Sequence, residues 1–350
     1  MSEDAVRHAF SEQAAWCERL GSPFTSRLCA VIGERLDRSS AVGRAVLDWP
    51  GAMPDARGDA VPLRLAGALH ALVRRDGAPA LRDVYPPNPL PPKQRLWEAV
   101  AAAFLDHAAD ILVWLDSPPQ TNEVARASLL FAGLLVVAAE TRLPIALHEL
   151  GASAGLNLNL DRFGYRYGEV MRGEPSSPVR LAPRWHGAPP PDATVTIARR
   201  IGNDIAPIDV TARSGRERLL AYAWPDQPER IARLEAALAI AAAHPPPIEP
   251  GDAAAFVERH FSAPPRPGET RVLSHSIALQ YVAEAGRARI AACLRAAGGR
   301  ATTDAPVAWV QFEQNPEVGG AALSLALWPG GTVRILAAAD AHGRDVRWLA

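Results

Sequence analysis

Lysine is almost missing from this 350-residue chain: Lys93 stands alone among 37 cationic residues, and all the others are arginine. Schiff-base and pyridoxal-phosphate enzymes need a lysine amine, and a Walker phosphate loop needs Gly-Lys-Ser/Thr. Lys93 lies in Pro91-Pro92-Lys93-Gln94 with no glycine loop before it, which excludes both classes. Cysteine is also scarce. Cys17, Cys29 and Cys293 lie far apart with no Cys-x-x-Cys, so neither a disulfide framework nor a thiolate metal site is expected, and the composition predicts a reducing, cytoplasmic setting. The nine histidines include no His-Glu-x-x-His, and no dedicated metal site is expected. A formal net charge of −1 supplies none of the clustered positive charge that nucleic-acid binding requires, so no nucleic-acid partner is expected. The start, Met1-Ser2-Glu3-Asp4, lacks the basic and then apolar profile of a signal peptide. The apolar run Ala127 to Ala139 is too short to span a bilayer, and no membrane segment is expected.

What is present is a globular composition, 48% hydrophobic and 21% charged. From the N-terminus to residue 142 the apolar residues recur at helical spacing, as in Leu65, Leu69, Leu72 and Val73, which predicts a helical domain over 1–142. Ser22-Pro23 and Ser117-Pro118 read as helix starts with proline in the first turn, and Tyr85 to Pro92 reads as an extended loop. The segment Thr121 to Glu140 is apolar almost all round beyond its first turn, which predicts a buried helix.

At Pro144 the pattern changes. Ile145 to Leu150 reads as a buried strand, and period-two runs around Gly164 to Val170, Val179 to Trp185 and Thr194 to Ile201 suggest hairpins in a β-rich insertion at about 164–210. Arg216 to Ala243 is helical and broken at Trp224-Pro225. Strand Arg271 to Ser274, helix Ile277 to Ala297 and strand Val307 to Phe312 form a parallel crossover unit. Two closing strands, around Leu323 to Trp328 and Val333 to Ala338, predict an antiparallel hairpin at the sheet edge. The expected fold is α/β: a helical N-terminal domain, then a Rossmann-like sheet domain over 143–350 carrying the β-rich insertion and the terminal hairpin.

The strand at Ile145 runs into a turn of very small residues, Gly151-Ala152-Ser153-Ala154-Gly155, the kind that lets a backbone approach a ligand closely at a sheet's carboxyl edge. The dinucleotide fingerprint would need glycine at 151, 153 and 156, and finds it only at Gly151. A methyltransferase turn, Asp/Glu-x-Gly-x-Gly-x-Gly, is met by Glu149, Gly151 and Gly155, with Ser153 the only departure. The same residues spell Gly-x-Ser-x-Gly, the nucleophile elbow of α/β-hydrolases, with Asp340 and His342 as later partners. A hydrolase, however, calls for strands and an oxyanion loop upstream, where this chain reads as helices. The plainest reading is that the small residues allow a tight chain reversal.

Pro118-Pro119-Gln120-Thr121-Asn122-Glu123, Glu149 to Leu158, Trp224-Pro225-Asp226-Gln227 and Ala339-Asp340-Ala341-His342-Gly343 together resemble the bacterial domain-of-unknown-function family 2332 over nearly the whole chain. That resemblance implies a sheet domain similar to class I S-adenosylmethionine-dependent methyltransferases. It further implies S-adenosylmethionine as cofactor, with Glu149 holding its ammonium group at the glycine turn formed by Gly151, Ser153 and Gly155. A second carboxylate, ending the next strand, is expected on the ribose; Asp204 and Asp209 are the candidates, although both lie late, within the expected insertion.

Three further groups of residues are candidates. Gln120, Asn122, Glu123 and Arg126 form a polar cluster suited either to capping or to facing a cleft and binding substrate. His275, directly after a strand, could act as a base or remain structural, and Trp224 could line the same cleft or mark a helix break. The expectation is a small-molecule binding protein and candidate methyltransferase. The alternatives are a serine hydrolase using Ser153 and a non-catalytic binding protein on a degenerate fold. Neither substrate nor oligomeric state follows from the sequence.

Overall fold

The computed structural model describes residues 2–51, 53–55, 58–120 and 122–350. They divide into two compact units, residues 1–121 with 213–232 and residues 122–212 with 233–350. In chain order the elements are α1 (Glu3–Arg19), α2 (Pro23–Arg35), α3 (Ala41–Leu47), α4 (Val61–Arg74), α5 (Pro79–Arg82), α6 (Lys93–Asp106), α7 (Ala108–Leu115), α8 (Ala127–Thr141), β1 (Ile145–Leu150), β2 (Gly164–Tyr167), β3 (Val170–Gly173), β4 (Arg180–Leu181), β5 (Arg184–His186) and β6 (Ile197–Asp204). They continue with α9 (Arg213–Ala221), α10 (Pro228–Ala243), β7 (Ile248–Pro250), α11 (Ala253–Phe261), β8 (Thr270–Ser276), α12 (Glu284–Gly298), β9 (Val307–Asn315), β10 (Gly320–Trp328), β11 (Val333–Ala339) and β12 (Asp345–Trp348).

The first unit is helical because its apolar residues fall on single helix faces. Phe10 of α1, Phe24, Leu28 and Ile32 of α2, Leu65 and Leu69 of α4 and Leu96 of α6 meet in one buried cluster. Pro23 opens α2, as the Ser-Pro spacing predicts, but the Ser22 hydroxyl reaches Asp226 at 2.5 Å instead of capping its own helix. Asp226 also accepts the Phe24 N–H at 2.8 Å, so Trp224-Pro225-Asp226-Gln227 acts here as a brace on the α1–α2 corner. Ser117-Pro118 starts no helix, because the paired prolines hold the residues before them out of the α region.

The second unit is built on a sheet ordered β5-β12-β11-β10-β9-β8-β1-β6-β7, with a separate small sheet of β3, β2 and β4. β1 pairs in parallel with both β8 and β6, β8 with β9, and β6 with β7. α8 packs on β8, β9 and β10, while α11 and α12 pack against β6 and β9 respectively. Val124–Thr141 is long and apolar enough to cross a membrane by length and composition alone, yet 78% of it is buried inside the fold. It is the core helix of the unit.

The structure differs from the expectation in four further places. The helix expected from Thr121 begins at Ala127, after a 3₁₀ turn at Val124–Arg126 capped by the Glu123 side chain; Thr121 itself lies outside the described residues. The expected insertion at 164–210 contains only part of what was assigned to it: β6 lies beside β1 in the main sheet, and β5 extends its far edge. Two arginines make β6 look like a solvated strand, but each is neutralised. Arg199 pairs with Glu269 (2.5 and 2.6 Å) and Arg200 with Asp161 (2.7 and 2.8 Å). The helix expected from Ile277 begins at Glu284, because Ile277 takes a left-handed φ of 50° that no α-helix admits. β10 and β11 form the expected hairpin, but β12 and β5 continue the sheet beyond it.

α8 reaches the sheet closely only because of Gly133. A Cβ there would lie 2.8 Å from Val310 Cγ1. Gly133→Ala should therefore cost about 1–2 kcal/mol, even though alanine favours a helix by about 1 kcal/mol over glycine. Combining it with Val310→Ala should show a favourable coupling of about 1 kcal/mol in a denaturant double-mutant cycle.

Candidate ligand site at the carboxyl edge of the sheet

Strand order runs outward from β1 in both directions, through β6 and β7 on one side and through β8 and β9 on the other. A crevice opens at the carboxyl ends of the strands where such a reversal occurs. Alternation along β1 turns His148 and Leu150 toward α11 and α12, where His148 meets Phe256 and Phe261, and turns Glu149 to the opposite face. Glu149 stands level with Gly202 of β6 and Ser274 of β8.

The chain then reverses through Gly151 (φ 65°), Ser153 (φ 53°) and Gly155 (φ 71°), all left-handed. Glycine is required at 151 and 155 on two counts: the conformation, and the space. A Cβ at 151 would lie 2.9 Å from the Ala278 Cβ, and one at 155 would lie 2.5 Å from Pro246 Cγ. Ser153, a non-glycine residue held at positive φ, is strained. It is fixed by Asp204 at the end of β6, whose carboxylate accepts the Ser153 N–H at 2.7 Å and the Ala206 N–H at 2.9 Å. Asn122 donates from its side-chain amide to the Ala152 carbonyl at 3.0 Å, and the Ile208 N–H reaches the Ser153 carbonyl at 3.2 Å.

Within this framework three buried atoms have no hydrogen-bond partner among the described residues: Glu149 Oε2, Ser153 Oγ and Asn157 Oδ1. Their residues are 4%, 8% and 4% exposed. A buried acceptor left unsatisfied costs about 1–3 kcal/mol, so three on one stretch of nine residues make this the part of the sheet edge with most to gain from an incoming donor. Burial first, and the nearby Asp204 carboxylate second, push the Glu149 carboxyl up from its usual 4.5 to about 8. Among the described residues no group of three His, Cys, Asp or Glu side chains is arranged to hold a metal ion.

The remaining candidates take varied places. Glu123 accepts the Ala125 N–H at 3.1 Å and faces Arg233 at 3.5 Å. Arg126 donates to the Ala341 carbonyl at 2.9 Å and to the Ser276 carbonyl at the end of β8 at 3.4 Å, so it joins two rim segments. The Asp209 carboxylate closes an exposed turn onto Thr211 at 2.6 Å. Gln120 and Trp224 belong to the helical unit, where the Trp224 ring carries the Arg230 guanidinium at 5.6 Å. His275 is fully buried, with both ring nitrogens engaged: Nδ1 lies 2.7 Å from the Glu313 carboxylate, and the Trp309 indole donates to Nε2 at 2.8 Å. An indole only donates, so Nε2 carries no proton and Nδ1–H faces the carboxylate. In this arrangement His275 has no lone pair free for a substrate proton.

The sequence matches, over residues 7–348, a family described as "Uncharacterized protein conserved in bacteria (DUF2332)". The chain belongs to that family. Comparisons with curated proteins and with solved structures find no match. In this DUF2332 member the sequence reading misses Asn157, which follows the glycine turn, and Glu313 and Trp309, which engage the two nitrogens of His275. A signal exists for the first, since asparagines alternate with leucines from Leu156 to Leu160 in a run that the structure buries completely. Glu313 carries no comparable mark, being one polar residue among several at the end of β9.

The raised Glu149 carboxyl yields a stability prediction with a definite sign. The folded state holds this proton more tightly than the unfolded chain, so the contribution of Glu149 to wild-type stability falls as pH rises from about 4.5 to about 8 and levels off above that. Glu149→Gln keeps the shape of the protonated acid without this loss. Its melting temperature should match wild type near pH 4.5 and exceed it at pH 8, by about 2–4 °C for each kcal/mol recovered. Thermal melts across pH test this, and an advantage that shrinks toward pH 8 contradicts it.

Proposed function

We infer that this protein binds S-adenosylmethionine or a close relative at the carboxyl end of β1, as a methyltransferase of unassigned substrate. The observation that carries the reading is the unpartnered, buried Glu149 oxygen beside a left-handed glycine turn. A carboxylate, a hydroxyl and an amide carbonyl within nine residues of chain are acceptors suited to a ligand with an ammonium group and sugar hydroxyls. Asp204 supports the reading further: with β6 in the main sheet it ends the strand beside β1, where the ribose carboxylate is expected, although it also holds the turn.

Bound there, the cofactor would supply an electrophilic methyl group. The chain's own residues do the rest: Glu149 binds the cationic end, Gly151 and Gly155 let the backbone approach, and Asn122 and Asp204 keep the turn in shape. Transfer in line with the leaving group depends chiefly on such positioning. With His275 committed on both nitrogens, its part in this reading is to shape the site rather than to act as base.

Ser153 is also where a hydrolase would carry its nucleophile, and its positive φ and buried Oγ suit that reading. That Oγ has no hydrogen-bond partner among the described residues, so no base stands ready to take its proton. The methyltransferase reading therefore ranks first.

S-adenosylhomocysteine at 100 times its dissociation constant should stabilise the fold by about 2.7 kcal/mol. Glu149→Ala should abolish most of the resulting rise in melting temperature. No shift at millimolar ligand, in wild type and variant alike, contradicts the proposal.

A further inference from the structure

The segment after β8 is held in a strained shape by a chain of side chains, the buried His275 and the half-buried Glu313 and Trp309. Ile277 sits at φ 50°, a left-handed conformation that is a genuine outlier for a β-branched residue. Its N–H is held by the Phe312 carbonyl at 2.8 Å. The next two amides, Ala278 and Leu279, donate to one carboxylate oxygen, Glu313 Oε1, at 2.9 and 3.2 Å. The same oxygen takes Nδ1–H of His275 at 2.7 Å, and the Trp309 indole fixes the imidazole from its other side. Three donors converge on a single oxygen. Burial alone would raise the Glu313 carboxyl, but the hydrogen bonds from His275 and the two amides outweigh it and hold the group below its usual value. The residue so gripped, Ala278, carries the methyl group that packs over Gly151.

Resting on the ligand-site reading above, we propose that Glu313, braced by His275 and Trp309, is a positioning residue that latches the loop 277–281 down onto the glycine turn and so completes one wall of the crevice. Besides the carboxylate, the loop is held by the Phe312 carbonyl on the Ile277 N–H, by Arg287 on the Leu279 carbonyl at 3.2 Å and by Leu279 against the α11–α12 core. It contains no α-helix, only a 3₁₀ turn at Leu279–Tyr281, and Tyr281 at its end is 74% exposed. Strain of this kind persists only where the surroundings over-determine it, and it collects at ligand sites. Without the carboxylate, Ala278 and Leu279 lose their acceptor, Ile277 can relax to negative φ, and the loop leaves Gly151.

Hydrogen exchange resolved to the amides of Ala278 and Leu279 tests the latch in the intact protein. Glu313→Gln, which keeps the shape and removes the charge, should lower their protection about tenfold. Glu313→Ala should lower it further, with the amides of β1 and β8 unchanged in both. Trp309→Phe, which frees Nε2 of His275, should fall between wild type and Glu313→Ala. Unchanged protection in Glu313→Ala overturns the latch, and so does a uniform loss across β1 and β8 in Glu313→Gln. With S-adenosylhomocysteine as probe, Glu313→Ala should weaken binding at least tenfold. Full affinity despite a loosened loop overturns its role in the crevice. If wild type itself ignores the probe, the cofactor reading fails, while the exchange data still decide the latch.

Discussion

The hydrogen bond from the Ser153 amide to the Asp204 carboxylate is the constraint on which the site depends. Ser153 lacks the freedom of glycine, yet stands between two left-handed glycines in a left-handed conformation of its own. An unsupported turn would relax. The carboxylate at the end of the neighbouring strand accepts its N–H, Asn122 donates to the carbonyl just before it, and the Ile208 amide donates to its own carbonyl. Because the backbone groups of the turn are satisfied from outside, the side chains of Glu149, Ser153 and Asn157 remain uncommitted. The acids at this edge are held differently. Asp204 and Glu313 receive backbone N–H groups, whereas Glu149 has been taken out of water with one oxygen unmatched.

Much of the fold is legible in the sequence because burial and periodicity coincide there. The helices of the first unit repeat apolar residues at three and four, and α8 is almost wholly apolar and β1 mostly so because both are buried on every side. β6 is the instructive exception. A strand inside a sheet should read as apolar, but Arg199 and Arg200 in the middle of this one suggest a solvated hairpin. Their partners, Glu269 and Asp161, lie 70 and 39 residues away in sequence. No local pattern announces an ion pair of that span. Misplacing β6 also displaces Asp204, which looks like a loop acid until the strand stands beside β1.

The same limit applies to the site. Glu149, Gly151 and Gly155 are legible because a strand running into a small-residue turn is a local event. Glu313, His275 and Trp309 form a unit only once β8 and β9 are side by side, with His275 level with Gln311. Taken alone, a histidine after a strand suggests a base. Its neighbours decide otherwise, because an indole on Nε2 and a carboxylate on Nδ1 leave it nothing to offer a substrate.

The contrast between the two glutamates separates binding from support. Glu313 takes three hydrogen bonds on one oxygen and is stabilised as an anion, which suits a group that must hold a loop in one position. A carboxylate so well solvated by the protein gains little from a new partner. Glu149 is the opposite case: its burial penalises the charge, and its free oxygen has most to gain from an incoming cation. The folded protein is less stable for keeping it. An acid retained at the carboxyl end of β1, at a cost to stability and with one oxygen unmatched, is the feature that the proposed ligand would complete.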